Sequence, residues 1–236
     1  MPIAPILTLY CFQEFCRLGN IGSDSQIYPD VTIDHIAFGR SLPAWNAGDY
    51  SAVRAILALS IERLARAGAD FFLCPANTAH LALECAGPSL ALPGLHIAHV
   101  AAAAAARERR NLVGVLGTRF TLRSGLYERA LSKHGIEALA PEPSDQSAID
   151  EMIFGDLVRG VFTQTARDVC RSVIDRLAKR GCDAVALACT EIPLLLTAKQ
   201  DCGLPQLDTT RLLARAALEV GCKHADLPTW RGGPIE

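Results

Sequence analysis

The chain repeats itself across its midpoint. Residues 61–70 read IERLARAGAD and residues 174–183 read IDRLAKRGCD, with Arg63 matching Arg176 and both runs closing on Gly-x-Asp. Gly68 and Gly181 stand 113 positions apart in a chain of 236. A short apolar run follows each Gly-x-Asp, FFLC or AVAL, and then a polar turn, PANT or ACTE. Further on, LPGLHI at 92–97 echoes LPQLDT at 204–209 at nearly the same offset. Three matches in one order restrict the chain to two similar halves, each built from the same supersecondary units.

Local signals say what those units are. The spacing of Ile56, Leu59 and Leu64 predicts an amphipathic helix with a glycine stop at Gly68. FFLC and AVAL read as buried strands of a parallel sheet, and LHIAHV, LPQLDT and NLVGVLGT as further strands. AAAAAARERR at 101–110 is a helix by propensity, with arginines toward its carbonyl end. The expected fold is α/β: two pseudo-symmetric half-domains, each a parallel sheet flanked by helices. The first half is expected over 1–105 with the PANTAH turn and the second over 106–215 with the ACTEIP turn. The tail, 216–236, is expected to return to the first half. Ligands of such sheets bind beyond the carboxyl ends of the strands, where both turns fall. The active site is therefore expected in the cleft between the halves, with the turns facing one small molecule.

Composition removes other classes. About half the residues are apolar, which provides a substantial core, and the formal charge of −2 comes with no basic stripe. Nucleic acid is not an expected partner. The apolar start, MPIAPILTLYCFQEF, lacks a basic n-region and is broken at Gln13 and Glu14, so neither an export signal nor a membrane span is expected. Nine cysteines without a C-x-x-C pair read as reduced thiols of a cytoplasmic protein, mostly packed as small apolar groups. No metal-ligand spacing, dinucleotide fingerprint or phosphate loop occurs in the sequence, so no cofactor is expected.

Overlaying the halves at the 113-residue offset sets Ala76 on Cys189, while Thr78 falls one place out of step with Thr190. Two facing thiols suit removal of a proton from one face of a carbon and its return to the other. A cysteine can serve as base if a helix N-terminus stabilises its thiolate. Here one position of the pair holds a methyl group. Cys74 precedes Ala76 by two residues, about 6–7 Å along a strand and on the same side, and is a conceivable substitute.

LCPANTAH and LACTEIPLLL resemble the two signature segments of the aspartate/glutamate racemase family, whose first segment is usually P-C-N-T-A-H. VLGTRFTLRSGLY at 115–127, LVRG at 157–160 and QLDTT at 206–210 extend the resemblance over roughly residues 5–220. It implies an isomerase without cofactor, one catalytic cysteine per half, and a homodimer. Carried over by position, Cys189 is the remaining thiol and Ala76 the place of the missing one, with Glu191 and His80 flanking them to tune protonation or orient donors. Asn77, Thr78, Thr190 and Thr118 would hold the α-carboxylate and amino group of a small acidic amino acid, and Arg159 or Arg40 a second carboxylate. The family also opens with a strand ending in G-G-M-G-P, and nothing of that kind occurs here; APILTLYCFQEF matches the helix after it, with Thr8 at the place of a family threonine.

With one thiol, three readings stand: a racemase inactivated at residue 76, a one-base enzyme, or a non-catalytic binder of acidic amino acids. The one-base reading includes a single-cysteine decarboxylase or lyase of a related diacid, as in the arylmalonate decarboxylases. The retained Thr190-Glu191 favours the racemase branch.

Overall fold

The computed structural model describes residues 5–20, 28–196 and 203–235. The chain divides into two units, Met1–Ile97 with Leu213–Glu236, and Ala98–Leu212. The opening residues 1–4 of the apolar start lie outside the described residues.

In the first unit, helix α1 (Pro5–Gly19) precedes irregular backbone, a 3-10 turn at Phe38–Arg40, and helices α2 (Leu42–Ala47) and α3 (Tyr50–Arg66). Strand β1 (Phe72–Leu73), helix α4 (Ala79–Leu83) and strand β2 (Gly94–Leu95) follow. β1 and β2 pair in parallel, Phe72 opposite Gly94. A Cβ at residue 94 would lie 2.4 Å from the Phe72 ring, so only glycine fits there. Phe72 packs with Ile61, Leu83, Leu90 and Leu92. The C-terminal segment adds backbone bonds here: Leu90 N–H to Arg231 O (2.9 Å), Gly94 N–H to Trp230 O (2.7 Å) and Gly233 N–H to Leu83 O (2.9 Å).

Helix α5 (Ile97–Arg107) leads to strand β3 (Leu112–Leu116), helices α6 (Arg119–Arg123) and α7 (Leu126–Ser132), strand β4 (Glu137–Leu139) and helix α8 (Pro143–Gly155). A 3-10 turn at Leu157–Arg159, helix α9 (Gln164–Lys179), strand β5 (Ala184–Leu187), helix α10 (Ile192–Leu195), strand β6 (Gln206–Asp208) and helix α11 (Thr209–Gly221) complete the described elements. The four strands of the second unit form one parallel sheet in the order β4-β3-β5-β6. Its core joins Leu116, Val185 and Leu187 of the sheet to Ile153 of α8 and to Ile174 and Leu177 of α9.

The repeat is visible in the backbone. After α3, Ala69 N–H donates to Leu64 O, and after α9, Cys182 N–H donates to Leu177 O, both at 3.1 Å. Gly68 and Gly181 take φ values of +90° and +94°, the left-handed stop that both sequences reserve for glycine. Asp183 then fastens the strand starts, its carboxylate accepting from Asn111 N–H (2.7 Å) and Leu112 N–H (3.3 Å).

Two expectations are corrected. LHIAHV is a strand only at Gly94–Leu95, because α5 begins at Ile97. The alanine run is the strongest helix former in the chain, and the helix it nucleates extends back through Ala98-His99-Val100. The two compact units divide after Ile97, within the first turn of α5. FFLC forms a strand only at Phe72–Leu73, where β2 offers a partner on one side.

Candidate active site

Each unit carries one polar turn after a strand. In the first, Pro75 and Ala76 leave β1, and Ala79 N–H donates to Ala76 O at 3.1 Å. In the second, Ala188 and Cys189 leave β5, and Ile192 N–H donates to Cys189 O at 3.1 Å. Both bonds span three residues and stand 113 positions apart, so Ala76 and Cys189 are equivalent by backbone conformation as well as by alignment. The same register resolves the mismatch at the threonines. Thr78 is the N-cap of α4 and Glu191 the N-cap of α10, so Thr78 answers Glu191, and Asn77 answers Thr190.

The turn of the second unit gathers a thiol, a hydroxyl and a carboxylate. Cys189 Sγ donates to Glu191 Oε2 at 3.1 Å, and Thr190 Oγ1 donates to the same oxygen at 3.2 Å. All three residues are buried. Burial pushes the Cys189 thiol well above its ordinary 9.0, and the Glu191 charge pushes it further. The expected stabilisation by a helix N-terminus does not prevail, because α10 spans only four residues and its N-cap is itself an acid. The resting group is a thiol, hence a proton donor. Replacing Glu191 by Gln keeps an acceptor and removes the charge, so the Cys189 pKa should fall. Alkylation of Cys189 at pH 8, taken as the difference from a Cys189→Ser control, should then rise several-fold; no rise would mean that Glu191 does not set the thiol.

Gly117 brings the end of β3 against this turn. Ala188 N–H donates to Leu116 O, and a Cβ on residue 117 would meet Ala188 O at 3.1 Å. Thr118 follows as N-cap of α6, its hydroxyl accepting from Thr121 N–H at 3.4 Å. On the other side of β5, Thr209 Oγ1 donates to Leu187 O at 3.0 Å. Thr210 beside it is fully buried, and its hydroxyl finds no partner among the described residues. QLDTT drew notice in the sequence, but nothing in it separated Thr209 and Thr210 from ordinary cap residues.

The turn of the first unit is built around an imidazole. His80 is fully buried; its Nδ1–H donates to Ala76 O at 3.1 Å, and its Nε2 accepts from Ile97 N–H at 3.3 Å. Burial first, then the neighbouring His96, lowers its pKa to about 3. Neutral and committed at both nitrogens, His80 braces the carbonyl of Ala76. Its ring stacks on Trp230 at 6.0 Å and meets His96 edge-on at 4.7 Å, while His96 Nε2 bonds Glu84 Oε1 at 3.1 Å. His96, Glu84 and Trp230 had no sequence signal, since they converge from the residue after β2, the C-cap of α4 and the C-terminal segment. Asn77 and Thr78 lie buried in the turn. Cys74 packs into the apolar cluster around Phe72, and burial raises its thiol to about 11.

Arg40 and Arg159 each end a 3-10 turn, in the first and second unit respectively, and both are exposed. Among the described residues no group of three or more His, Cys, Asp or Glu could hold a metal ion, and no helix is long and apolar enough to cross a membrane.

Comparison with known proteins adds the lineage. The broad specificity amino-acid racemase RacX of Bacillus subtilis is 26% identical over 156 residues, covering 66% of this chain and 66%, just under two thirds, of its own length. A glutamate racemase of Ectopseudomonas mendocina is 26% identical over 228 residues, covering 89% of this chain and 83% of that one. The crystal structure of a candidate Asp/Glu racemase from Yersinia pestis superposes with a TM-score of 0.78 at 28% identity, covering 92% of this chain and 94% of that one. The profile of Asp/Glu/Hydantoin racemases matches residues 23–217, most of the chain, and with two repeated α/β units each ending a strand in the same polar turn, this protein belongs to that family.

Proposed function

We propose that the chain acts without a cofactor at the α-carbon of aspartate- or glutamate-like acids and moves a proton on one face only. The observation that carries this reading is the Cys189 thiol bonded to Glu191 while its backbone equivalent, Ala76, offers neither acid nor base. The relatives support the substrate class: one is described as a broad specificity amino-acid racemase and another as a glutamate racemase.

In the proposed cycle the Cys189 proton passes to Glu191 Oε2, and the thiolate so formed takes the α-hydrogen of the substrate as a proton. The electron pair left on carbon delocalises into the α-carboxylate. Cys189 then returns a proton to the same face, restoring the configuration. Exchange with solvent occurs through Glu191. Asn77, Thr78 and Thr190 hold the α-carboxylate and amino group, and Arg159, with Arg40 as the other candidate, the distal carboxylate.

Proton NMR in deuterated buffer tests the reading. One enantiomer of aspartate or glutamate should lose its α-proton signal while its optical rotation stays constant. Inversion of both enantiomers would reveal a second acid and defeat the one-face proposal; absence of exchange for all four acids would defeat the activity altogether.

A second reading has its own support. A buried thiol held protonated is the group that the last step of a decarboxylation needs, delivering a proton to a carbanion. Release of carbon dioxide from a malonate-type diacid, with retention of one configuration in the product, would place the chain there.

A further inference from the structure

After α11 the chain runs without helix or strand through residue 235, and its path turns on Trp230-Arg231-Gly232-Gly233. Gly232 and Gly233 take φ values of +77° and +85°, a region that glycine enters without steric cost. The bend lets Trp230 Nε1–H donate to Gly233 O at 3.2 Å, which fixes the indole. Besides the three backbone bonds to Leu83, Leu90 and Gly94, Arg231 Nη1 donates to Leu90 O at 3.1 Å and to Ala91 O at 3.0 Å. An irregular segment is thus tied down at several points, with an indole at its centre.

Three rings meet at that point. The indole lies nearly parallel to the His80 imidazole, with 13° between the planes, and His96 stands edge-on to both, 4.7 Å from His80 and 4.8 Å from Trp230. His80 in turn spans two strand ends. β1 and β2 pair only as far as Leu73 and Leu95, and beyond that register the imidazole carries the connection, from Ala76 O to Ile97 N–H. The residue 113 positions on from His80 is Pro193, so the second unit has no ring at that place. There the ends of β5 and β6 are joined by Thr209 Oγ1 and Leu187 O. The imidazole brace works in one tautomer and one ring orientation: a proton on Nδ1 and a lone pair on Nε2 satisfy both partners, and a ring turned over sets C–H groups against them. Free imidazole in water favours the proton on Nε2, so the surroundings must impose the other form.

We propose that Trp230 is a positioning residue: its indole face holds the His80 imidazole in the one orientation that ties Ala76 O to Ile97 N–H, and so sets the turn that presents Asn77 and Thr78. The indole also meets Phe72, tilted by 37° at 6.1 Å, but that contact asks only for apolar bulk. A parallel face against an imidazole fixes a plane as well, and it keeps water from competing for the two ring nitrogens. What the brace holds is local and measurable. Ala79 N–H donates to Ala76 O, and His80 N–H to Asn77 O, both at 3.1 Å. The consequence for substrate rests on the proposed hold of Asn77 and Thr78 on the α-carboxylate; the consequences for the ring and the turn do not.

Trp230→Leu keeps apolar bulk over Phe72 and removes the flat face. Nitrogen-15 NMR of the histidine rings at pH 7.5 should then show His80 shifting from the Nδ1–H toward the Nε2–H tautomer. Exchange of the Ala79 and His80 amides should quicken about fivefold, the worth of one net hydrogen bond. In α-proton exchange of aspartate or glutamate, KM should rise about as much while kcat stays within about twofold, the mark of lost binding. Trp230→Phe restores a flat ring and should recover most of each change. Leu227→Ala, on the exposed part of the same segment, should match the parent throughout. A folded Trp230→Leu protein with the parent's His80 tautomer and amide rates overturns the proposal. If ring and amides change and KM does not, the step from the turn to Asn77 and Thr78 is overturned. A parent chain that exchanges no α-proton defeats the proposed function, and the ring and amide readouts still decide the role of Trp230. Should Trp230→Leu not fold, Trp230→Met, which fills more of the space without a flat face, takes its place with the same outcomes.

Discussion

Cys189→Ser is expected to abolish exchange of the substrate α-proton, with a loss of at least about a hundredfold, the lower end of what a positioned acid–base group contributes. A serine hydroxyl still donates to Glu191 and fits the same space, so the turn should keep its fold. It cannot give up its proton to a neighbouring carboxylate at any useful population. Binding of aspartate or glutamate should persist within a few-fold, because the carboxylate donors proposed for it are Asn77, Thr78 and Thr190. The split between rate and binding separates a reacting thiol from a packed one. If Cys189→Ser exchanged as fast as the parent, the sulfur would be a core residue and the proposed cycle would end there. Ala76→Cys makes the complementary case. Residue 76 occupies the backbone position of Cys189 and is among the residues lining a cavity of the first unit. That variant should begin to interconvert the two enantiomers, whereas the parent only exchanges the α-proton of one of them. Exchange that stays one-sided in Ala76→Cys would mean that the first unit lacks more than a sulfur.

Much of this was legible in the residues, for reasons that can be named. Gly68 and Gly181 announce themselves because a left-handed helix stop tolerates little else, and the strand after each follows from that stop. Ala76 could be set against Cys189 because Gly68 and Gly181 stand equally far from the starts of α4 and α10. Contacts that close over long sequence distances had no such signature. Trp230 reaches His80 across 150 residues, and no periodicity connects them. The state of the thiol is hidden for a different reason. A polar turn before a helix suggests a stabilised thiolate, but α10 is one turn long and Glu191 stands at its start, so burial and like charge win over the dipole. The short β1 was equally hidden: FFLC has the composition of a full strand, yet among the described residues only Phe72–Leu73 pairs, and only with β2.

The largest stability effect should come from His80 in acid. An imidazole of ordinary pKa 6.5 in the unfolded chain and about 3 in the folded one stabilises the fold fully above pH 6.5. Between pH 6.5 and 3 the unfolded chain binds a proton that the folded chain refuses. Stability then falls by about 1.4 kcal/mol per pH unit, and the total loss is on the order of 5 kcal/mol. The geometry gives the cause. Protonation would put an N–H on Nε2, the atom that accepts from Ile97 N–H, and set two donors against each other in a dry site stacked on Trp230. Carboxylates titrate over the lower part of the same range, and His96, bonded to Glu84, sits against the ring, so the parent slope alone does not identify the group. The difference from His80→Gln does. A glutamine amide offers both a donor and an acceptor but no proton to bind, so the variant should be less stable at pH 7.5 from lost ring packing, and should lose about one proton less of pH dependence between 6.5 and 4. Urea midpoints measured across that range for both proteins decide it. Parallel curves would mean that residue 80 takes up its proton in the folded state, which the two backbone bonds to its ring do not permit.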